Sequence, residues 1–365
     1  MRWLASLTLA SLTAFAARAG DVEFGGKTTT QWLAILKENK EVKLRQAALV
    51  ALEVIGPRKG VVEGVREALA SDKTPQVRRE AALLLGRYGV AAKEAVGSLG
   101  EALGSTKEEG PVREAAAISL GKLSDFAASQ VLVLGRALKD PHVPVVVAAA
   151  EALKNLKDKG REAFPDILKL AADAKGDGVA RRFAIFTVSR FADLGGKELE
   201  QIASALNGVG AESGADTGVR EAALDGLGHL KTTLAIPGLS VGLKSKEPEL
   251  RRTAIRGLTL LKDKAAGAWG AIKPALGDMD SIVRNQAIIA CGFIAKAQAE
   301  AVSELTGAAE KDRDLDNRIT AIQTLGGLGA TAKSAMPVLE KLAMNDFRAR
   351  IREAAKDAAR KIKGS

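Results

Sequence analysis

The sequence predicts an all-α fold, an α-solenoid or superhelix of about ten stacked αα-hairpins, and three observations carry that prediction. Ala and Leu dominate a 365-residue chain that is 47% hydrophobic and only 4% aromatic. Small and unbranched side chains suit closely packed helices, whereas strands favour aromatic and β-branched residues. A short phrase recurs along the whole chain, with its first residue at Leu44, Val77, Val112, Val145, Ala180, Val219, Leu250, Val283, Asn317 and Ile351, at intervals of 31 to 39 residues. Its second position is Arg45, Arg78, Arg113, Arg181, Arg220, Arg251, Arg284, Arg318 and Arg352, broken only by Val146. Finally, apolar residues such as Val219, Ala223, Leu227 and Leu230 fall on one face of a helix. Self-similarity at this period marks units that bury their apolar stripes only by stacking on one another.

The chain begins with a segment that imitates a helix without belonging to the fold. Arg2 precedes the apolar stretch Trp3 to Ala17, and Ala17-Arg18-Ala19 is a small-x-small cleavage pattern before Gly20. Residues 1–19 therefore read as a signal peptide cut after Ala19, which places the mature chain in the periplasm or outside the cell. The apolar run is shorter than the roughly 20 residues that span a bilayer, and no later run is long enough, so no transmembrane segment is expected after cleavage. Cys291, the only cysteine, stands at an apolar position of its phrase and reads as a buried thiol rather than a nucleophile.

From Gly20 to Ser365 the hairpins follow in order. Gly25-Gly26-Lys27-Thr28 imitates the end of a phosphate loop but lacks its earlier glycine, and reads as the start of the helix carrying Trp32, capped by one of the threonines. Each phrase is the second helix of a hairpin. The first helix lies upstream, as in Val61 to Ala70, Phe164 to Ala171 or Ala335 to Ala343, and ends in a turn rich in Asp, Pro or Gly. Between the fifth and sixth phrases the interval grows to 39, and the glycine-rich residues 207–218 read as a surface loop. Asn207, Glu212 and Asp216 are its candidate partner contacts. Phe183 and Phe186 read as core neighbours close to Phe191, and Trp32 and Trp269 as packing wedges on or near first helices. Asp346 to Ser365 carries a local charge of +4 through residues such as Arg348, Arg350, Lys356, Arg360, Lys361 and Lys363, and reads as a polar cap, with contact to an anionic surface as the alternative.

The order Asp, short turn, Val-Arg-x-x-Ala-Ala and Leu-Gly, as in Asp72 to Gly86, resembles the HEAT-repeat family, and the short bacterial form also found in phycobilin lyases in particular. The resemblance implies an armadillo-type α-solenoid over the mature chain. It also implies that the arginine column is a structural ladder to turn acids, for which Asp72, Asp140, Asp173, Asp278 and Asp312 are the candidates. The charge agrees. Once Arg2 and Arg18 leave with the signal peptide, 52 basic residues face 44 acidic ones, and without the nine column arginines 43 face 44. The basic excess is the ladder, not a stripe for nucleic acid.

Nothing singles out a catalytic or metal site. His142 and His229 read as lone surface histidines, and the chain has no His-Glu dipeptide of the kind that HEAT-like di-iron hydroxylases use. The expectation is an exported, monomeric scaffold or adaptor that binds protein without catalysis, cofactor or metal. Two alternatives remain: a solenoid that binds nucleic acid or another polyanion, which export disfavours, and a lyase-like enzyme.

Overall fold

The computed structural model describes residues 21–191 and 195–364, apart from the Lys59 side chain. The signal peptide assigned to residues 1–19 lies outside the described residues. Among those residues the fold is an α-solenoid of ten helical hairpins, and no helix is long and apolar enough to cross a membrane. The described chain opens with a departure from the all-α expectation. Glu23–Phe24 and Lys27–Thr28 pair antiparallel around Gly25 and Gly26, whose φ angles of 59° and 72° suit glycine. Thr28 then caps the helix Thr29–Glu38, accepting from Gln31 N–H at 3.3 Å while Gln31 Oε1 accepts from Thr28 N–H at 2.9 Å. Trp32 ties helix and hairpin together by donating from Nε1 to Phe24 O at 2.9 Å.

The chain divides into two compact units, up to Asp166 and from Ile167 onward. In the first unit, the second helices Val42–Ile55, Pro75–Arg87, Gly110–Lys122 and Val143–Asn155 pack in sequence order. Their first helices are Thr29–Glu38, Lys59–Ser71, Val96–Gly104 and Val131–Ala137. The first helix of repeat five, Phe164–Ala172, spans the division. In the second unit, Gly178–Ser189, Thr217–His229, Pro248–Leu260, Ser281–Ile294, Leu315–Gly327 and Ala349–Lys363 pack in the same order.

The phrase explains this packing. Positions 0, 4, 5 and 8 turn into the core, as Val77, Ala81, Ala82 and Leu85 show, all fully buried. Each large aliphatic side chain so buried contributes about 1.5–3 kcal/mol. The Gly of Leu-Gly lies where the next second helix passes closest. A Cβ on Gly121 would sit 3.1 Å from Ala152 Cα, and one on Gly326 would sit 2.9 Å from Ala358 Cα. The residue twelve after each phrase start leaves the helix with positive φ in six copies: Gly56, Gly89 and Gly329, and also Lys157, Lys231 and Lys262.

Residues 207–218 are not the loop their composition suggested. The helix Gly196–Ala211 continues through Asn207, Gly208 and Gly210, because Ile202, Ala203, Leu206 and Val209 keep an apolar stripe against the core. A Cβ on Gly210 would lie 3.3 Å from Leu224 Cδ2, so one of the glycines read as loop signals is a packing residue. The added length is mostly helix, and the turn spans only residues 212–216.

Candidate functional site

The arginine column forms a chain of forks, each joining one repeat to the next. In the first unit, Arg45 donates from Nε and Nη2 to Asp72 at 2.7 and 2.9 Å. Arg78 grips Glu108 at 2.8 and 2.7 Å, and Arg113 grips Asp140 at 2.7 and 2.8 Å. In the second unit, Arg251 holds Asp278 at 2.8 and 2.9 Å and Arg284 holds Asp312 at 3.0 and 3.1 Å. Arg181 meets Glu212 at 2.8 Å and Arg318 meets Asp346 at 2.6 Å, through one nitrogen each. Arg220 lies 3.7 Å from Glu247. The third nitrogen stays within its own repeat. Nη1 of Arg45 donates to Asn39 O and Lys40 O, and that of Arg284 to Asp278 O and Met279 O, satisfying backbone carbonyls at the turn after the first helix. One planar guanidinium thus closes its own turn and clamps the next repeat, a geometry that a lysine cannot supply.

Burial and hydrogen bonding set the charges of these acids. Desolvation opposes the charge of Asp278, but hydrogen bonds from Arg251 and from Asp280 N–H outweigh it and hold the carboxyl below its usual range. Asp140 is held down in the same way by Arg113 and His142 N–H, and Glu108 by Arg78 and Glu109 N–H.

Of the acids expected from the sequence, Asp72, Asp140, Asp278 and Asp312 receive arginines. Asp173 does not: its Oδ1 accepts from Lys175 N–H at 3.1 Å, and the column residue of the preceding repeat is Val146. Sequence reasoning missed Glu108, Glu212, Glu247 and Asp346. Asp346 stands five residues before its phrase, the spacing of Asp72, Asp140, Asp278 and Asp312, and that spacing was a signal for it; Glu108, Glu212 and Glu247 stand at three other distances, so only the turn geometry identifies them.

The three residues expected to meet a partner from residues 207–218 are committed inside the fold. Asn207 donates to Leu234 O at 2.9 Å and accepts from Gly238 N–H at 2.8 Å. Glu212 holds Arg181, and Asp216 caps the helix Thr217–His229 through Gly218 N–H at 3.0 Å. Other expectations also shift. Phe186 is 44% exposed rather than core, with Arg190 over its ring at 4.8 Å, while Phe191 is buried and Phe183 half-buried. His142 is half-buried rather than a surface residue, and its Nδ1 is buried with no hydrogen-bond partner. His229 is exposed on its helix, with Nδ1 2.8 Å from Asp225 O. Trp269 is half-buried and donates to Glu300 at 2.9 Å. Cys291 is fully buried, and burial pushes its thiol up to about 12, where little thiolate exists at neutral pH.

With the turns and arginines so occupied, the exposed apolar side chains of the second helices stand out. In the first unit Val50 and Val54 are about 60% exposed, and Leu83 and Ile118, at the position of Val50 in their own repeats, are half-buried. In the second unit Phe186, Leu260 and Phe293 are exposed and Ile289 half-buried, all six or ten residues after the start of their phrases. On the other side of the first unit, a groove of about 1110 Å³ runs between the first helices Thr29–Glu38 and Lys59–Ser71, crossed by a Lys37–Glu67 ion pair at 2.8 Å. Among the described residues, no three of His, Cys, Asp or Glu lie together as a metal site.

Residues 62–153 and 271–360 match the family model for HEAT repeats. This is a HEAT-repeat protein. One matched stretch lies in each compact unit, so HEAT repeats build both. Among solved structures, the HEAT-repeat chain is similar to yeast importin-β, Kap95p, with a TM-score of 0.56 and 12% identity over 98% of this chain and 54% of that one. It is also similar to the karyopherin Kap121p bound to the extreme C-terminus of the protein phosphatase Cdc14p, with a TM-score of 0.57 and 12% identity over 99% and 48%. Human deoxyhypusine hydroxylase in complex with glycerol aligns at 20% identity over 79% and 99%, with a TM-score of 0.33. The chain spans about half the length of the two karyopherins, and at such identities the likeness is one of fold. No curated protein sequence matches it.

Proposed function

We propose that this HEAT-repeat protein is a non-catalytic scaffold that holds a protein partner against the outward side of its second helices and works outside the cytoplasm. The observation that carries the reading is the pairing of committed charge with uncommitted apolar surface. The arginine column faces turn acids and carbonyls, whereas Val54, Leu260 and Phe293 face solvent, each ten residues after the start of its phrase. Exposed aromatic and aliphatic side chains set among polar neighbours are the anchors protein interfaces use. Karyopherins of similar fold bind proteins, as Kap121p does the end of Cdc14p, which supports the class of function but not a partner. Export is supported by Arg2, the apolar stretch after it and Ala17-Arg18-Ala19. A polyanion-binding role is less well supported, because the column that makes the chain basic is consumed internally.

The test is photo-crosslinking from Phe293, with a second probe at Lys37 on the first-helix side, in envelope extracts with and without nuclease. The expected result is a protein adduct at residue 293 that survives nuclease and is absent at residue 37. Adducts lost on nuclease treatment, equal labelling at both positions, or recovery of the chain in the cytosol with Met1 intact would each defeat the reading.

A further inference from the structure

We infer that the C-terminal ends of the second helices in repeats six to eight form a docking edge for an acidic, extended segment of a protein partner. Two observations meet there. The first is a backbone conformation. Lys231 and Lys262 leave their helices at φ angles of 50° and 55°, as Gly89 and Gly329 do at 55° and 52° in repeats two and nine. Glycine adopts this left-handed conformation freely, whereas a Cβ crowds the following carbonyl. A Cβ on Gly89 would meet nothing within 4 Å, so a side chain at that step finds nothing to pack on. Exposed, and held in a conformation that suits glycine better, the two lysines are explained by their charge.

That charge stays open. Lys231, Lys262 and Lys296 are exposed and form no ion pair among the described residues, and Lys264 sets its ammonium on Lys231 O at 2.9 Å, a carbonyl that neutralises nothing. Asp225 is held by Arg256 at 2.8 Å and approached by His229 at 3.4 Å, which leaves exposed Asp263 against four lysines. The second observation is apolar. Leu260 and Phe293 are exposed two and three residues before Lys262 and Lys296. Repeat four shows that the lysine step alone does not make such an edge: Lys157 has a φ of 51°, but Asn155 replaces the apolar residue and Lys159 pairs with Asp125 at 3.7 Å. An acidic segment has too little apolar surface to fold by itself, and in the polyproline II form its residues three apart share one side at about 9 Å. Second helices packed side by side lie about 8–10 Å apart, so two apolar residues three apart reach Leu260 and Phe293 together, with their neighbouring acids opposite the lysines. Lysines alone would suit nucleic acid; lysines around two apolar anchors suit protein.

This inference rests on the protein-binding reading and gives the partner a chemistry. The probe is a labelled peptide, Glu-Glu-Leu-Asp-Asp-Phe-Glu-Glu, and its twin carries Gln and Asn in place of the acids. Anisotropy titrations at low salt use the full mature chain, the pair Lys231→Gly with Lys262→Gly, and Phe293→Ala. A control pair, Lys244→Gln with Lys246→Gln, removes the same charge from the turn before Pro248, at the opposite end of repeat seven. The expected result is binding that weakens about tenfold or more for the amide twin, about fivefold for the glycine pair, about threefold for Phe293→Ala and less than about twofold for the control. The glycine pair should melt no lower than the natural chain, since glycine already stands at that step in repeats one, two and nine. Absence of binding, equal binding of the twins, equal loss in the control, or no loss in the glycine pair would overturn the inference. A glycine pair that melts lower would assign the lysines to the helix ends they follow instead. Tighter, lysine-dependent binding of a thymidine oligonucleotide would assign the edge to nucleic acid. Should crosslinking from Phe293 persist while the peptide fails to bind, only this inference falls.

Discussion

Two rungs of the second unit, Arg284–Asp312 and Arg220–Glu247, join residues of the same chemical kind and differ in almost everything else. Asp312 caps the helix Glu300–Lys311, accepts from Asp314 N–H at 2.8 Å, and takes Nε and Nη2 of Arg284 on its two oxygens, both side chains being at most 5% exposed. Glu247 stands two residues further along its turn, at the N-cap before Pro248. It bonds Ser245, stays 43% exposed and comes no nearer than 3.7 Å to Arg220. The backbone delivers the first acid to its arginine, whereas the second must reach back on a flexible side chain. In these two rungs the acid five residues before the phrase meets a full fork, and the one three before it does not.

The largest test of this contrast is Arg284→Ala. Removing one member of a buried pair strands the other charge, so unfolding free energy should fall by about 3–5 kcal/mol in urea titrations at pH 7; a loss no larger than that of Arg220→Ala would erase the distinction. Next comes acid. Asp140, Asp278 and Asp346 are held below the ordinary carboxylate range when folded, so their stabilisation is present above about pH 4 and is lost as pH falls through their folded values. The gap in stability between the natural chain and Arg251→Ala, wide at pH 7, should narrow below pH 4, whereas a gap that ignores pH would trace the effect to packing. Ser245 occupies the place held by Asp72, Asp140, Asp278, Asp312 and Asp346 in other repeats. Ser245→Asp should therefore give Arg220 a well-placed acid and add about 1 kcal/mol, read as a higher melting temperature. A lower one would show that the turn before Pro248 cannot present the acid. Arg220→Ala should shift the melt least of the four.

Much of the fold was legible because the arginine column and the apolar positions lie within one helix, where spacing translates directly into facing. The acids were harder to read, since the place five before the phrase is Lys107 in one repeat and Ser245 in another, with the acid displaced to Glu108 and Glu247, and the turn from Glu212 to Val219 is longer. Asp173 looked like a rung acid because its turn is acidic, yet Val146 takes the arginine's place in the column. The glycines at 208 and 210 argued for a loop, and helix won because Leu206 and Val209 continue a buried stripe. Phe186 misled for the opposite reason: aromatic character suggested the core, but the residue six after the phrase start faces outward. The candidate interaction surface was not legible beforehand, because an exposed Phe293 and a buried Ile294 are adjacent apolar residues until the packing tells them apart.

The forks have a further consequence for how such a chain changes over generations. Repeats two and three, and six to nine, each bring one arginine that serves the repeat after and one acid that serves the repeat before, whereas the fourth brings only Asp140 and the fifth only Arg181. Copying or deleting one of those six therefore leaves each junction with a matched pair. A gene built this way can change length by recombination in steps of one repeat without needing a compensating mutation at the seam.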